Sequence, residues 1–405
     1  MSNSVKLENN GALRDVRIID LTRVLAGPIC TMILADMGAE VIKIERPGKG
    51  DDTRDYGPYQ NGESMIYANI NRNKKGVTLN LKSPEGKEML LKMVKDADVV
   101  VENYRPGVMD KLGLGYDVLK EVNPRIIYTA ISGFGSYGKY SARPGYDVIA
   151  QAYSGIMEVT GWPDSGPSRV GYSIGDVSGG VNGALGTLAA LHAREVTGVG
   201  QRVDVALVDG LLFLSENCVQ RYLSTGKLAT RNGTRAHTVY PYDAFPAKDG
   251  LVLIACANQK IWEIFATKAL KNEALITDER FLTNPLRDKN WKELRPFVVD
   301  WVKDYTIKEA IEFLQEIGVP AAPINNMQNI LDDEHFIKDR EMFVPVKDEK
   351  RGDMMLLGDA VKLMGTPSKI RWLAPDLGQD NEEVYMEMFG LSKDEFAHMK
   401  EVGAI

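Results

Sequence analysis

One segment of the chain places a single carboxylate among glycines. Asp176 follows Gly175, and Gly179 and Gly180 come just after it, at the predicted start of a Gly- and Ala-rich helix that continues to Arg194. The amides and dipole of a helix N-terminus favour negative charge, so one interpretation is that Asp176 simply caps this helix. The glycines also leave room for a ligand, so the pattern equally allows a carboxylate that attacks an acyl group.

Several cationic side chains lie at or just beyond the ends of predicted strands. Together they could bind phosphate groups, although each one alone is more often a solvated surface charge. They are Arg46, Lys82, Arg105, Lys111 and Arg143. The four histidines form no metal-binding motif, and the sequence predicts no metal site.

The elements that must position these groups follow a strand-helix-strand pattern. The sequence predicts an apolar strand at 16–21, then a helix that begins near Pro28 and stops at Gly38, and then a second strand at 41–44. The pattern repeats, with strands predicted at 77–81, 99–101, 125–131 and 202–208. It indicates an α/β fold with a mostly parallel sheet, whose ligands gather at the carboxyl ends of the strands. The first turn lacks the GxGxxG spacing, which argues against nicotinamide or flavin binding.

The composition excludes several classes of protein. With 405 residues and a net charge of -7 from interspersed charges, the chain has no basic face for nucleic acid. Residues 1–10 lack an apolar signal core, and no run approaches the ~18 apolar residues of a membrane span. The three cysteines are far apart in sequence and their spacing suggests no disulfide pairs, which is typical of a protein in a reducing compartment. We therefore predict a cytoplasmic protein.

Seven ordered segments together are similar to one known family. They are VLAGP at 24–28, GAEVIKIE at 38–45, LNLKSPEG at 79–86, VENYRPG at 101–107, SGFG at 132–135, RPGYD at 143–147 and GD at 175–176. Each is weakly specific, but their joint order resembles the family III coenzyme A transferases, which include formyl- and carnitine-coenzyme A transferases. The resemblance covers nearly the whole chain.

The resemblance implies an enzyme that moves coenzyme A from an acyl-CoA to a carboxylic acid. Its nucleophile falls on Asp176, which would form aspartyl anhydride and aspartyl-CoA thioester intermediates. Coenzyme A is implied as a substrate, with no metal and no tightly bound cofactor. The implied coenzyme A contacts are Ala26, Arg46, Leu79, Lys82, Asn103, Tyr104, Arg105, Lys111 and Tyr146, and we add Arg143 because it is close to Tyr146 in sequence.

The resemblance also implies an architecture. A large Rossmann-like domain would begin with residues 1–222, a smaller α+β domain would span 223–330, and 331–405 would return to the large domain. The prolines at 319–323 are expected to mark a boundary, because they interrupt helices. Each ring-shaped subunit would interlock with a second one, in a homodimer or in a heterodimer with a homologous subunit.

Two other functions stay open at this point. An α-methylacyl-CoA racemase shares the fold but has a histidine where this chain has Tyr146, and tyrosine is a poor proton shuttle at neutral pH. A non-catalytic coenzyme A-binding subunit would not require Asp176. Among transferases, Leu25 replaces the glutamine of formyl-coenzyme A transferase, which disfavours formyl and oxalyl transfer. A succinyl-CoA donor is our preferred expectation, with Arg143 and Arg169 as candidates for a second carboxylate.

Overall fold

The structure is a computed structural model that describes residues 10–405. All but the last residue of the polar N-terminal segment considered above therefore lie outside the described residues. The strands are β1 (Arg17–Asp20), β2 (Glu40–Glu45), β3 (Tyr59–Gln60), β4 (Glu63–Ser64), β5 (Lys74–Thr78), β6 (Val99–Glu102), β7 (Ile127–Ser132), β8 (Arg202–Ala206), β9 (Tyr242–Ala247), β10 (Gly250–Ala255), β11 (Ala321–Pro323), β12 (Phe343–Asp348) and β13 (Gly352–Leu357).

Helices connect most of these strands. They are α1 (Ala26–Asp36), α2 (Met65–Ile70), α3 (Pro84–Lys95), α4 (Val108–Leu112), α5 (Tyr116–Val122), α6 (Asp147–Ser154), α7 (Ile156–Val159), α8 (Ile174–Thr197), α9 (Leu207–Phe213), α10 (Asn217–Thr225), α11 (Gln259–Ile264), α12 (Ala274–Thr277), α13 (Asn284–Lys289), α14 (Trp291–Val302), α15 (Ile307–Glu316), α16 (Met327–Asp332) and α17 (Lys393–Glu401). A 3-10 turn covers Asp52–Asp55, and π-helical turns cover Phe265–Ala269, His335–Asp339 and Glu383–Met388.

The main sheet has six parallel strands in the order β5-β2-β1-β6-β7-β8. From β1 the chain proceeds outward through β2 and β5 on one side, and through β6, β7 and β8 on the other. The strand order therefore reverses between β1 and β6, and in such sheets ligands bind outside the carboxyl ends of the strands at this point. This confirms the predicted α/β fold with a parallel central sheet.

Both faces of the four central strands, β2, β1, β6 and β7, are buried, and these strands are mostly apolar, as expected for such a position. Ile19, Ile42 and Val100 contribute to the core on one face, together with residues of α3 and α5. Ile18 and Val41 point to the opposite face, where α1 and α8 pack.

The glycine-rich helix α8 packs closely against α1. A Cβ atom on Gly180 would lie 2.6 Å from Cγ2 of Ile29 and 2.8 Å from the carbonyl oxygen of Ala26. Only glycine fits without a shift of backbone or side chain. This contact fixes the first turns of α8, which carry Asp176, beside the start of α1.

The chain divides into two compact units. The first unit has three segments, namely one that ends at Ile156, then Arg169–Gly226 and His335–Ile405. The second unit consists of Met157–Ser168 and Lys227–Glu334. The domain limits expected from the sequence, 1–222, 223–330 and 331–405, stay a prediction, because compactness alone does not show that a unit folds independently.

The second unit has a small antiparallel sheet in the order β11-β10-β9. Its core includes Phe245, Trp262 and Val298, all fully buried. The proline-rich segment 319–323 was expected to mark a boundary, but it supplies β11 inside this unit. Proline is tolerated there because β11 is an edge strand that pairs on one side only.

The C-terminal residues of the first unit cover the β5 edge of the main sheet. The Gly76 amide donates to the Asp380 carboxylate at 2.6 Å, and the Tyr385 hydroxyl donates to the Thr78 carbonyl at 2.8 Å. The Asn80 amide donates to the carbonyl of Ala404 at 2.7 Å. In residues 10–405 no helix is long and apolar enough to cross a membrane.

Candidate active site

Asp176 lies in the first turn of α8, as the sequence predicted, but it does not cap the helix. No side chain at the helix start makes a local capping bond, and the Asp176 carboxylate has no hydrogen-bond or ion-pair partner within the described residues. The capping interpretation considered above is therefore wrong, and the carboxylate is left free.

The cap comes instead from Asp147, the first residue of α6. Its Oδ1 accepts hydrogen bonds from the amides of Gly175 at 2.7 Å and of Asp176 at 3.4 Å. Its Oδ2 accepts from the side-chain amide of Gln151 at 2.7 Å, and the Gln151 oxygen accepts from the amide of Val170 at 2.9 Å. Asp147 thus occupies the helix amides that would otherwise attract Asp176.

The environment of Asp176 disfavours its charged form. Burial, followed by the negative charge of Asp147, raises the pKa of Asp176 from its ordinary value of 3.8 to about 7. Such a group is only partly ionised at neutral pH and is more basic than an ordinary aspartate. A carboxylate with a raised pKa, free of partners, has the properties of a poised nucleophile.

Asp176 lines a cavity of about 130 Å³ in the first unit. The walls come from the loop between β1 and α1, the loop after β6, the loop after β7 and the segment that precedes α6. Of the residues implied by the resemblance, the cavity brings together Ala26, Asn103, Tyr104, Arg105 and Tyr146 with Asp176, and Arg143, which we added, lines it as well. Leu25 lines it too.

Two glycines allow the loop after β7 to contact the segment that precedes α6. A Cβ atom on Gly133, just after β7, would lie 2.6 Å from the Cα atom of Gly145. The adjacent Tyr146 is 65% exposed at the cavity. The guanidinium of Arg143 lies 4.0 Å from the ring centroid of Tyr140 and bonds the hydroxyl of Tyr153, so aromatic rings hold it at the edge of the cavity.

A second cavity of about 330 Å³ lies beside the first, at the carboxyl ends of β5, β2, β1 and β6. Its lining includes the predicted residues Arg46, Leu79, Lys82 and Tyr104. Arg46 and Lys82 are exposed and have no ion-pair partner within the described residues. Such cations beside an apolar floor suit a phosphorylated ligand.

Two predicted residues lie apart from these walls. Lys111 is exposed on α4 and lines neither cavity, although Val108 and Leu112 of the same helix line the larger one. Arg169, considered for a second carboxylate, also lines neither cavity and donates to the carbonyl of Val170 at 3.2 Å.

Buried charges hold the loop between β1 and α1, and they were not among the residues predicted from the sequence. The Asp51 carboxylate accepts from the amide of Val24 at 3.1 Å and from the ammonium of Lys43 at 2.9 Å. Burial opposes ionisation of Asp51, but the Lys43 charge and these bonds hold its pKa at about 2. Val24 has a φ of +67°, which is strained for a β-branched residue. Charges buried along β2, a strand that is otherwise apolar, were the available signal.

Arg23, in the same loop, was also missed as a site residue. It lines both cavities, and its position just after β1 at the reversal of strand order could have identified it. Within residues 10–405 no group of three or more potential ligands is placed to bind a metal ion.

The parallel sheet and the paired cavities at its carboxyl edge describe an α/β protein with cations in one cavity and a partner-free carboxylate in the other. The match of residues 13–381 to the model of CoA-transferase family III then gives the family. The chain belongs to CoA-transferase family III and is a CoA-transferase.

Named relatives support this assignment. The chain is 37% identical to succinyl-CoA–D-citramalate CoA-transferase of Chloroflexus aurantiacus, over 96% of each chain. It is 40% identical to succinyl-CoA:mesaconate CoA-transferase of Haloarcula marismortui, over 93% of this chain and 96% of the relative. It is 38% identical to acetyl-CoA:oxalate CoA-transferase of Acetobacter aceti, over 90% and 92%.

A solved structure shows the same fold. The crystal structure of a CAIB/BAIF family protein from Brucella suis is 34% identical to this chain and superposes with a TM-score of 0.81. The superposition covers 94% of this chain and 100% of that protein.

Proposed function

We propose that this enzyme transfers coenzyme A from succinyl-CoA to a carboxylic acid, with the carboxylate of Asp176 as a covalent relay. The observation that supports this proposal is a half-buried, partner-free carboxylate that faces one cavity, with a cation-lined cavity next to it. Arg46 and Lys82 would hold the nucleotide end of coenzyme A, and the thioester would reach Asp176.

The chemistry requires no net change in protons. Asp176 attacks the thioester carbonyl, which gives a mixed anhydride and the coenzyme A thiolate. The thiolate attacks the Asp176 carbonyl carbon, so an aspartyl thioester forms and the donor acid leaves as a carboxylate. The acceptor carboxylate then attacks the aspartyl thioester and releases the thiolate, which attacks the acceptor acyl carbon. A new thioester leaves, and the Asp176 carboxylate is restored.

The donor is proposed from the relatives and from the cavity. Two of the three relatives described above are named for succinyl-CoA, and the third for acetyl-CoA. Leu25 presents an apolar side chain to the cavity, which suits a longer acyl group than formyl. Arg105 and Arg143 line the same cavity and are candidates for the second carboxylate of a dicarboxylic acid.

Other parts of the proposal concern assembly and location. We propose an interlocked dimer of ring-shaped subunits, either a homodimer or a heterodimer with a homologous subunit, and a cytoplasmic location. Lys111 remains a proposed coenzyme A contact, because a ligand can extend beyond the cavity wall to an exposed side chain.

Trapping of the intermediate tests the proposal. The enzyme is mixed with succinyl-CoA, treated with hydroxylamine and digested, and the peptide that contains Asp176 is analysed by mass spectrometry. An aspartyl thioester reacts with hydroxylamine to a hydroxamate, so we expect a gain of NH at Asp176 and no gain in Asp176→Asn.

The same experiment separates the rival functions. Transfer of coenzyme A without the adduct would refute the covalent relay but leave the transferase assignment intact. Exchange of the substrate α-proton for deuterium without the adduct would indicate a racemase, and binding of coenzyme A without either reaction would indicate a non-catalytic subunit.

A further inference from the structure

The two cavities share three lining residues, Arg23, Asp52 and Tyr104, which we call the neck. On one side of the neck lie Arg46 and Lys82, and on the other lies Asp176. A ligand with its nucleotide in the larger cavity and its thioester at Asp176 must pass the neck. The middle portion of such a ligand would therefore lie beside Arg23.

The backbone of Arg23 is fixed, while its side chain is held only weakly. The Arg23 amide donates to Oδ1 of Asn103 at 2.9 Å, and the Arg23 carbonyl accepts from Nδ2 of Asn103 at 2.7 Å. The side chain is 53% exposed and pairs with Asp52 at 3.1 Å. Its guanidinium carbon lies 6.0 Å from the ring centroid of Tyr104.

The ion pair between Arg23 and Asp52 is weak enough for Arg23 to exchange Asp52 for another anion. Exposed ion pairs of this kind contribute about 0 to 1 kcal/mol, so little is lost when one opens. Asp52 keeps a second cation if Arg23 leaves, because Lys49 lies 3.2 Å from its other oxygen. A guanidinium can bind a phosphate group through two parallel hydrogen bonds, whereas Arg23 makes one contact with the Asp52 carboxylate, at 3.1 Å.

We propose that Arg23 binds the diphosphate of the coenzyme A thioester at the neck, and that these phosphates replace Asp52 as its partner. This inference rests on the proposed function, because it requires the substrate to extend from Arg46 and Lys82 to Asp176. Asp52 keeps the guanidinium at the neck in the free enzyme and releases it when the diphosphate enters.

Calorimetric titration of the whole enzyme with coenzyme A, dephospho-coenzyme A and pantetheine tests the proposal. Arg23→Ala is expected to weaken the binding of the first two ligands by the same factor, about tenfold or more, because both contain the diphosphate. Binding of pantetheine, which lacks it, stays unchanged. Arg125→Ala is the matched control. Arg125 is 51% exposed and pairs with Glu195 at 3.3 Å. It precedes β7 and so lies at the amino ends of the strands, away from the two cavities.

The exchange itself is tested by a double-mutant cycle. Asp52→Asn is expected to tighten coenzyme A binding, and this gain should disappear in the Arg23→Ala background. Equal gains in both backgrounds would show that Asp52 repels the phosphates directly and would refute the exchange.

Other outcomes also decide the matter. Unchanged coenzyme A affinity in Arg23→Ala, with only the KM of the acceptor acid raised, would show that Arg23 binds a carboxylate and would overturn the proposal. Failure of the unaltered enzyme to bind coenzyme A would instead overturn the proposed function, before any variant is measured.

Discussion

Replacement of Asp147 by asparagine isolates what its charge does to the candidate nucleophile. Asparagine retains an oxygen that can accept from the amides of Gly175 and Asp176, so the start of α8 stays capped. The negative charge beside Asp176 is lost. Since that charge is one of the two causes of the raised pKa, the pKa of Asp176 should fall in this variant.

The size of the change follows from the order of the two causes. The pKa of Asp176 rises from 3.8 to about 7, a difference of about 3 pH units, and burial is the larger cause. The Asp147 charge therefore accounts for less than half of it, about 1 unit, or about 1.4 kcal/mol. At pH 6 the ionised fraction of Asp176 would rise from about one tenth to about one half, a gain of about fivefold.

The assay is the pH dependence of kcat/KM for coenzyme A transfer, which reports groups of the free enzyme. The nucleophile must be deprotonated, so the rate falls as the pH drops through the pKa of Asp176. The acid limb in Asp147→Asn should move to lower pH by about 1 unit. Its plateau should fall modestly, because a less basic carboxylate is a weaker nucleophile.

A matched control distinguishes this effect from a general loss of structure. Asp117 also lies in the first turn of a helix, α5, but is exposed, so Asp117→Asn should leave the profile unchanged. An acid limb that stays in place in Asp147→Asn, in an enzyme that is folded and active, would refute the electrostatic role of Asp147.

Two further predictions concern the frame of the site. Gly180→Ala should lower the free energy of unfolding by about 1–3 kcal/mol in urea titration and reduce kcat, because the added methyl group meets Ala26 of α1 and displaces the helix that carries the proposed nucleophile. Unchanged stability would contradict the packing argument. Lys43→Met should cost about 3–5 kcal/mol in the same titration, because it leaves the buried Asp51 without its cation; a loss below about 1 kcal/mol would show that the pair is dispensable.

The sequence predicted the parallel sheet because each strand and helix has a local signal. Pro84 in the first turn of α3 with Ser83 as its cap, and the glycines of α8, act within a few residues of themselves. Local signals also placed Asp176 at the start of its helix. These local signals could not show that the Asp176 side chain does not cap the helix.

The missing information was long-range. Asp147 caps α8 from 28 residues away at Gly175, and nothing in the segment around Asp176 indicates that its amides are already occupied. Likewise, the buried pair of Lys43 and Asp51 supports Val24 from another part of the chain. The edge strand β11 escaped prediction because Pro323 within it and Pro320 before it obscure a pairing that tertiary contacts impose.

The hydrogen bonds along β5 have a consequence for biosynthesis. The Thr78 amide and carbonyl pair with the side chains of Asn381 and Tyr385, which are 303 and 307 positions further along the chain. A ribosome must therefore release almost the whole polypeptide before this side of the larger cavity acquires its final partners. The second unit, which is encoded in between, is complete earlier. The N-terminal half must wait in a partly formed state, and this is the interval in which chaperones would protect it.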